Sequence, residues 1–363
     1  VTMLGQGQQS QGGRLDGDLI IKGYGDPGFA AEDIWSLLWG VRERGVETVA
    51  GDLILHASHF EAAEGGKGDF DGNASSTYNA LPHALTVNLQ TTRVHLLQDS
   101  GDRVRVFTDP PLANLRIENR LQLVKAPCQR KYHRPSLRLV EEPQRATLSL
   151  TGTFADGCGE SDYARLLLTP SQHAAGAVLA LWQAMGGGID GQTRDGVLPR
   201  DARLIHTQES GPLEDAVRQI NKHSNNLMSR NLFLTLGAER LGAPGSPAKA
   251  RKTVLRWLGQ RGRGTGIVGG MDTGSFLLAR AGLLKNKRCT IHWQCLQTFV
   301  KEFADVQASQ EIYEYDDRRL TCAGGAAAIG IDLPLSEGDR LDARGERALA
   351  RAMAKAGNVY LSV

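Results

Sequence analysis

Apolar residues recur along this chain with different rhythms, and each rhythm predicts a different element. Across residues 32–43 they fall at Ile34, Leu37, Leu38 and Val41. That three-and-four spacing marks one face of a helix, and Gly45 is its stop. The short apolar runs at 18–21 and 52–55 read as strands, and Gly25-Asp26-Pro27-Gly28 as a turn, so residues 14–60 make a small α/β unit. Residues 64–79 are rich in Gly, Asp, Asn and Ser and read as loop. Short alternating runs follow at 85–89, 104–107, 121–124 and 146–150, which predicts a β-rich region. Residues 162–185 read as helix, with Leu166, Leu167, Val178, Leu179, Leu181 and Met185, until Gly186-Gly187-Gly188 breaks the pattern. Loop and strand are expected over 189–207, helix over 212–258, an amphipathic helix over 339–355 and a strand over 358–363.

The helical stretch 212–258 carries the most informative pattern. Leu213, Val217, Ile220, Ser224, Leu227 and Asn231 recur at spacings of three and four. A serine and an asparagine thus fall on an otherwise apolar stripe. Burying a polar group without a partner costs about 1–3 kcal/mol, so one reading is a hydroxyl held in a cleft. The plainer reading is a break at Ser224, which then caps a second helix over 225–236. The two are compatible, since a break would present Ser224 and Asn226 at a helix N-terminus.

Composition narrows the class. At 363 residues the chain has room for two or more domains. The formal charge is +2, with basic residues scattered among acids, which gives no reason to invoke nucleic acid. No apolar run approaches the roughly 20 residues needed to span a bilayer. Val1-Thr2-Met3-Leu4 begins no secretory signal. The five cysteines, Cys128, Cys158, Cys289, Cys295 and Cys322, form no CxxC and no zinc spacing, so no metal and no cofactor are expected. Cys128 and Cys158 flank a strand-rich segment; they read equally as a disulfide or as two buried thiols.

Several blocks carry a resemblance. Residues 17–27, Gly-Asp-Leu-Ile-Ile-Lys-Gly-Tyr-Gly-Asp-Pro, then Gly45-Val46, Gly51-Asp52-Leu53 and Phe60, resemble in order a stretch of the D-alanyl-D-alanine carboxypeptidase/endopeptidase family, peptidase family S13, the type-4 class of penicillin-binding proteins. Pro212-Leu213 and Asn221-Lys222-His223-Ser224-Asn225-Asn226 resemble that family's Ser-x-Asn helix. The segment 245–258, ending in Arg256-Trp257-Leu258, is similar to the family's next segment. Asp272-Thr273-Gly274-Ser275 resembles a later family stretch, with Arg280 displaced. The resemblance runs over residues 14–280.

The resemblance implies an α/β (α+β) fold: a penicillin-recognising serine transpeptidase/β-lactamase-like domain, partial here, with helices around an antiparallel sheet and an inserted β-rich region. In those terms residues 1–30 are a remnant of the transpeptidase domain and 31–205 the inserted domains. Residues 206–363 return to the transpeptidase domain, with an atypical C-terminal part. The implied activity is that of a periplasmic or secreted hydrolase cutting D-Ala-D-Ala in peptidoglycan stem peptides through an acyl-enzyme, which β-lactams also form. A first-motif lysine activates the nucleophile. Ser224 matches the serine that relays the proton to the leaving amine, and Asn226 the asparagine that hydrogen-bonds the substrate amide. These two are the expected catalytic residues.

Three departures limit the carry-over. The Ser-x-x-Lys motif belongs before Gly17, and residues 1–16 do not contain it. The formal match Ser246-Pro247-Ala248-Lys249 comes after Ser-x-Asn and reads as a loop capping the next helix. No Lys-Thr-Gly occurs; Lys252-Thr253 continues into a helical run. Residues 283–335 do not look like the family, as at a domain end or after a frame change. Asp272-Thr273-Gly274-Ser275 is also the tetrapeptide of aspartic proteases, but those need two carboxylates sharing a proton, and no second copy exists here. Two readings follow: a piece of a serine carboxypeptidase whose nucleophile segment lies outside this chain, or a catalytically inactive relative that binds peptidoglycan or acts as a scaffold.

Overall fold

The computed structural model describes residues 1–66, 69, 72–99, 101, 103–142, 145–223, 225–261, 268–311, 313–323 and 360–361. They divide into two compact units, Val1–Ala250 and Arg251–Val363.

The first unit is built on a five-stranded mixed sheet, in the order Thr193–Asp195, Leu53–His56, Leu19–Lys22, Thr2–Gly5, Arg203–Thr207. Leu19–Lys22 and Leu53–His56 are parallel because helix α1 (Ala31–Glu43) carries the chain back across the sheet between them. The sheet spans residues on both sides of positions 30 and 205. Ile34, Leu37, Leu38 and Val41 of α1 are all fully buried, the same four that the periodicity selects. Gly40 lies against His206: a Cβ there would meet the imidazole at 2.2 Å, so only glycine lets the helix approach the strand. Gly45, at φ +84°, turns the chain after the helix.

Two expectations are corrected here. Residues 85–89 are not a strand. Asn88, Leu89 and Gln90 all have positive φ, and the Asn88 side chain accepts a 2.7 Å bond from the Ala31 amide at the start of α1. Leu85 and Val87 are buried even so, so the alternation reported burial, not extension. The helix expected from 162 begins only at Pro170: α2 spans Pro170–Ala184. Thr169 and Gln172 form a capping box, and proline takes the first helical position. The residues before it, Glu160–Arg165, are a strand paired with Thr92–Gln98.

A polar clip ties three strands of the main sheet together. Asp18 accepts from the Asp52 amide at 2.7 Å. Asp52 accepts from the Gln192 amide at 2.9 Å and from Arg194 Nε at 2.7 Å, and Arg194 reaches Asp18 at 3.3 Å. The Arg194 bond, then the Gln192 amide, hold the Asp52 carboxyl below its usual range. A depressed folded-state pKa stabilises the fold above the unfolded value, about 3.9, and that contribution disappears as pH falls through the folded value. Asp52→Asn is therefore expected to lower stability near pH 7, by no more than about 1 kcal/mol because the pair is solvent-screened. Urea titrations near roughly pH 7 and roughly pH 2.5 check this; a difference from wild type that does not shrink at the acid end contradicts it.

The β-rich region comprises a three-stranded antiparallel sheet, Glu160–Arg165, Thr92–Gln98, Val104–Asp109, and a four-stranded sheet. In the latter Ala146–Ala155 pairs with Arg134–Glu141, Leu115–Asn119 and Gln122–Val124. Cys128 and Cys158 are disulfide-bonded.

In the second unit, strand Val268–Met271 lies between Arg319–Cys322 and Tyr360–Leu361 and is parallel to both. Its Gly-Gly pair makes it a poor buried strand on composition, yet Val268, Gly269 and Gly270 are buried. The glycines are useful there: a Cβ on Gly270 would meet Leu278 at 2.9 Å and the Ser275 nitrogen at 3.0 Å, so helix α6 (Gly274–Arg280) packs against bare backbone. Asp272 makes the strand-to-helix turn at φ +59°. Ser275 is fully buried and donates to the Thr290 carbonyl at 2.7 Å, so this tetrapeptide is a structural turn. Burial pushes the Cys289 thiol up to about 12, which keeps it protonated and inert. The expected helix over 339–355 lies outside the described residues; of 358–363 only Tyr360–Leu361 is described, as strand. Among the described residues no helix is long and apolar enough to cross a membrane.

Candidate functional site

The helical stretch 212–258 is three helices: α3 (Leu213–His223), α4 (Asn226–Leu241) and α5 (Pro247–Arg261). Asn225, not Ser224, caps α4. Its side chain accepts from the Met228 amide at 2.9 Å, while its own amide still donates to Ile220 of α3 at 3.2 Å. Ser224 lies outside the described residues. Asn226 is the first residue of α4 and is exposed.

The break changes the stripe. No residue of α3 is buried; Leu213 is 62% exposed. Leu227 and Asn231 of α4 are buried. The six positions therefore do not share one buried face, because the cap at Asn225 resets the helical phase between the two halves.

Asn231 anchors the helix. It is fully buried, its Oδ1 accepts from the His83 amide at 3.2 Å, and its Nδ2 donates to Thr86 Oγ1 at 3.2 Å and the His83 carbonyl at 3.4 Å. Thr86 in turn donates to the His83 carbonyl at 2.8 Å. Burial lowers the His83 pKa. Arg230 adds a bond to the Ala80 carbonyl at 3.3 Å. The alternation at 85–89 marks part of this loop as buried but gives no hint of its partner, so only the fold identifies His83 and Thr86 as the support of α4.

The scattered sequence blocks meet around this helix. Gly25, at φ +84°, donates to the Ala84 carbonyl at 2.7 Å, and a Cβ on it would strike the Phe60 ring at 2.1 Å. Phe60 bridges to Gly245, the Gly245 amide donates to the His59 carbonyl at 2.7 Å, and Phe60, Ala84 and Leu234 of α4 form one apolar cluster. Residues spread from 25 to 245 are thus one packing unit.

Ser246-Pro247-Ala248-Lys249 is a cap. The Lys249 amide faces Ser246 Oγ at 3.4 Å, Pro247 opens α5, and Lys249 Nζ donates to the Gly242 and Pro244 carbonyls at 2.7 and 2.8 Å. An ammonium spent on two carbonyls does not activate a serine. Arg280 pairs with Glu302 at 3.0 Å.

The profile of the D-Ala-D-Ala carboxypeptidase 3 (S13) family matches residues 1–279. The chain belongs to that family. Among curated S13 relatives, it is 23% identical over 260 residues to the D-alanyl-D-alanine carboxypeptidase DacB of Haemophilus influenzae, covering 69% of this chain and 52% of that protein. The crystal structure of penicillin binding protein 4 from the same organism shares the fold, with a TM-score of 0.56 at 22% identity over 74% of this chain and 58% of that one. The chain thus spans about half the length of the carboxypeptidase relatives. A different kinship covers a shorter stretch: the HTH-type transcriptional regulator CdhR of Pseudomonas aeruginosa is 39% identical over 104 residues, 29% of this chain and 29% of that protein. The S13 match stops close to residue 283, where the sequence ceases to look like the family.

Proposed function

We propose that this S13 chain contributes the Ser-x-Asn part of a serine-type D-Ala-D-Ala carboxypeptidase/endopeptidase site and recognises peptidoglycan stem peptides. The observation that carries the reading is Asn226, exposed on the first turn of α4 at the position of the family triplet's asparagine. There its amide can both donate to and accept from a substrate peptide group. Ser224 is assigned the proton relay to the leaving D-Ala amine. A periplasmic or secreted location fits the Cys128–Cys158 bridge, since disulfides persist in oxidising compartments.

This chain presents no Ser-x-x-Lys in family order, and Lys249 is occupied. Binding without acylation is therefore the expected behaviour, which is also that of the inactive peptidoglycan-binding or scaffold alternative. Fluorescent penicillin is expected to leave the chain unlabelled. A soluble acyl-D-Ala-D-Ala peptide is expected to bind, with Asn226→Ala weakening the affinity about tenfold, the worth of one to two hydrogen bonds. Calorimetry with the peptide and gel fluorescence with the penicillin check both. Unchanged affinity in N226A removes the assignment, and covalent labelling of the wild type removes the inactive reading.

We further infer that the regulator-like stretch lies in the second unit, since the S13 match accounts for the first. Helix α7 (Leu296–Glu302) is separated from α6 by the strand Arg288–Thr290. Among the described residues they are therefore not the adjacent pair of a DNA-reading helix-turn-helix.

A further inference from the structure

One serine in the first unit has the surroundings of an activated hydroxyl and no part in the S13 scheme. His56 ends the strand Leu53–His56 and is 7% exposed. Its Nδ1 lies 3.1 Å from the Gly196 carbonyl. A carbonyl only accepts, so in the neutral ring that contact takes the proton on Nδ1 and leaves Nε2 as an acceptor. Ser58 Oγ lies 3.1 Å from Nε2 and is the donor to the neutral ring. A hydroxyl, a base within hydrogen-bond reach and a third group orienting the base form the arrangement that activates a serine nucleophile.

The dyad opens on space. Ser58 is exposed, and it lines a cavity of about 260 Å³ together with Phe60, His83, Ala84 and Asp195. Phe60 and Ala84 give an apolar wall for an acyl group. The carboxylates of Asp195 and Glu61 are exposed at the same cavity and disfavour anionic substrates. Phe60, which follows this turn, is held by its contact with Gly25 and its bridge to Gly245.

We propose that Ser58 and His56 form a second, Ser–His acyl-transfer site that takes small neutral or cationic carboxylic esters and uses neither Ser224 nor Asn226. Ser58 Oγ adds to the ester carbonyl carbon while its proton passes to His56 Nε2. The C–O bond to the alcohol breaks, and the alkoxide takes that proton from Nε2 as it leaves. Water then adds to the acyl-Ser58 carbonyl, giving its proton to Nε2; Ser58 departs as the alkoxide, recovers the proton and releases the carboxylic acid. No oxidation or reduction occurs.

The test uses the full chain with a fluorophosphonate probe, followed by peptide mass mapping, and p-nitrophenyl acetate for turnover. Expected are a single adduct on Ser58, loss of adduct and turnover in Ser58→Ala, and a labelling rate at least about 100-fold slower in His56→Gln, the usual worth of a general base. Penicillin binding is read separately, so failure here leaves the S13 reading untouched. A wild type that carries no adduct on Ser58, or an H56Q rate equal to wild type, overturns the proposal. If S58A does not fold, judged by circular dichroism, Ser58→Cys replaces it, with iodoacetamide as the probe. Alkylation of S58C at the same rate with and without H56Q then overturns the dyad.

Discussion

Trp182→Ala is expected to destabilise the first unit by about 3–5 kcal/mol, a lowering of Tm by roughly 6–20 °C for a unit of this size. Trp182 is the largest fully buried side chain in the described structure. It sits on α2 with its Nε1 donating to the Gly188 carbonyl at 3.2 Å, and the Arg42 guanidinium of α1 lies 5.6 Å from its ring. Gly187 presses so close that a Cβ would meet the indole at 2.3 Å. Removing the ring leaves a cavity where α1 and α2 meet, and the glycine turn after α2 cannot collapse into it without losing its own bonds. Trp35 and Trp39 are the internal control. They stack on each other with centroids 5.5 Å apart, yet are 48% and 47% exposed. Alanine at either should cost less than about 1.5 kcal/mol. Thermal and urea unfolding of the three variants decide the matter, and equal losses at positions 182 and 35 would falsify the burial argument.

The second large effect is expected at Asn231. Asn231→Leu, close in shape, removes the acceptor for the half-buried His83 amide and the donor to the buried Thr86 hydroxyl. Orphaned polar groups of this kind cost about 1–3 kcal/mol, so the loss should reach about 2–3 kcal/mol although the apolar volume is kept. Hydrogen exchange at the His83 amide should accelerate with it, as the loop detaches from the helix that presents Asn226. An N231L variant as stable as wild type, with His83 still protected, would mean that the asparagine only fills space.

These two residues differ in how far the chain announces them. Trp182 lies in a stretch whose apolar spacing reads as helix, and the Thr169–Gln172 capping box with Pro170 is a local signal that the spacing alone overran. Asn231 was visible as a polar residue on an apolar stripe. Its partners were not, because the alternation around Thr86 reports burial without saying which element packs over it, and His83 precedes that run. The stripe was half right for the same reason: periodicity assumes one continuous helix, and Asn225 ends that continuity by capping α4. The alternation at 85–89 reported burial correctly and geometry wrongly, since Asn88 is committed to the first amide of α1. The order of the S13 blocks was legible in the residues, whereas the contact of Gly25 with Phe60 and of Phe60 with Gly245 was not.

Local spacing, a glycine stop and block order were enough to establish helix α1, the β-rich character of the middle region, the α/β class and the S13 kinship over most of the chain. They sufficed because a helix face and a glycine at positive φ are each enforced within a few residues. Folding settled the rest: the union of Cys128 with Cys158, the anchoring of α4 on His83 and Thr86, and the meeting of His56, Ser58 and Gly196. Each joins segments far apart in the chain or fixes a side chain by what packs over it. A one-dimensional pattern carries no record of that, because hydrogen-bond partners and cavities exist only once the strands and loops have closed around them.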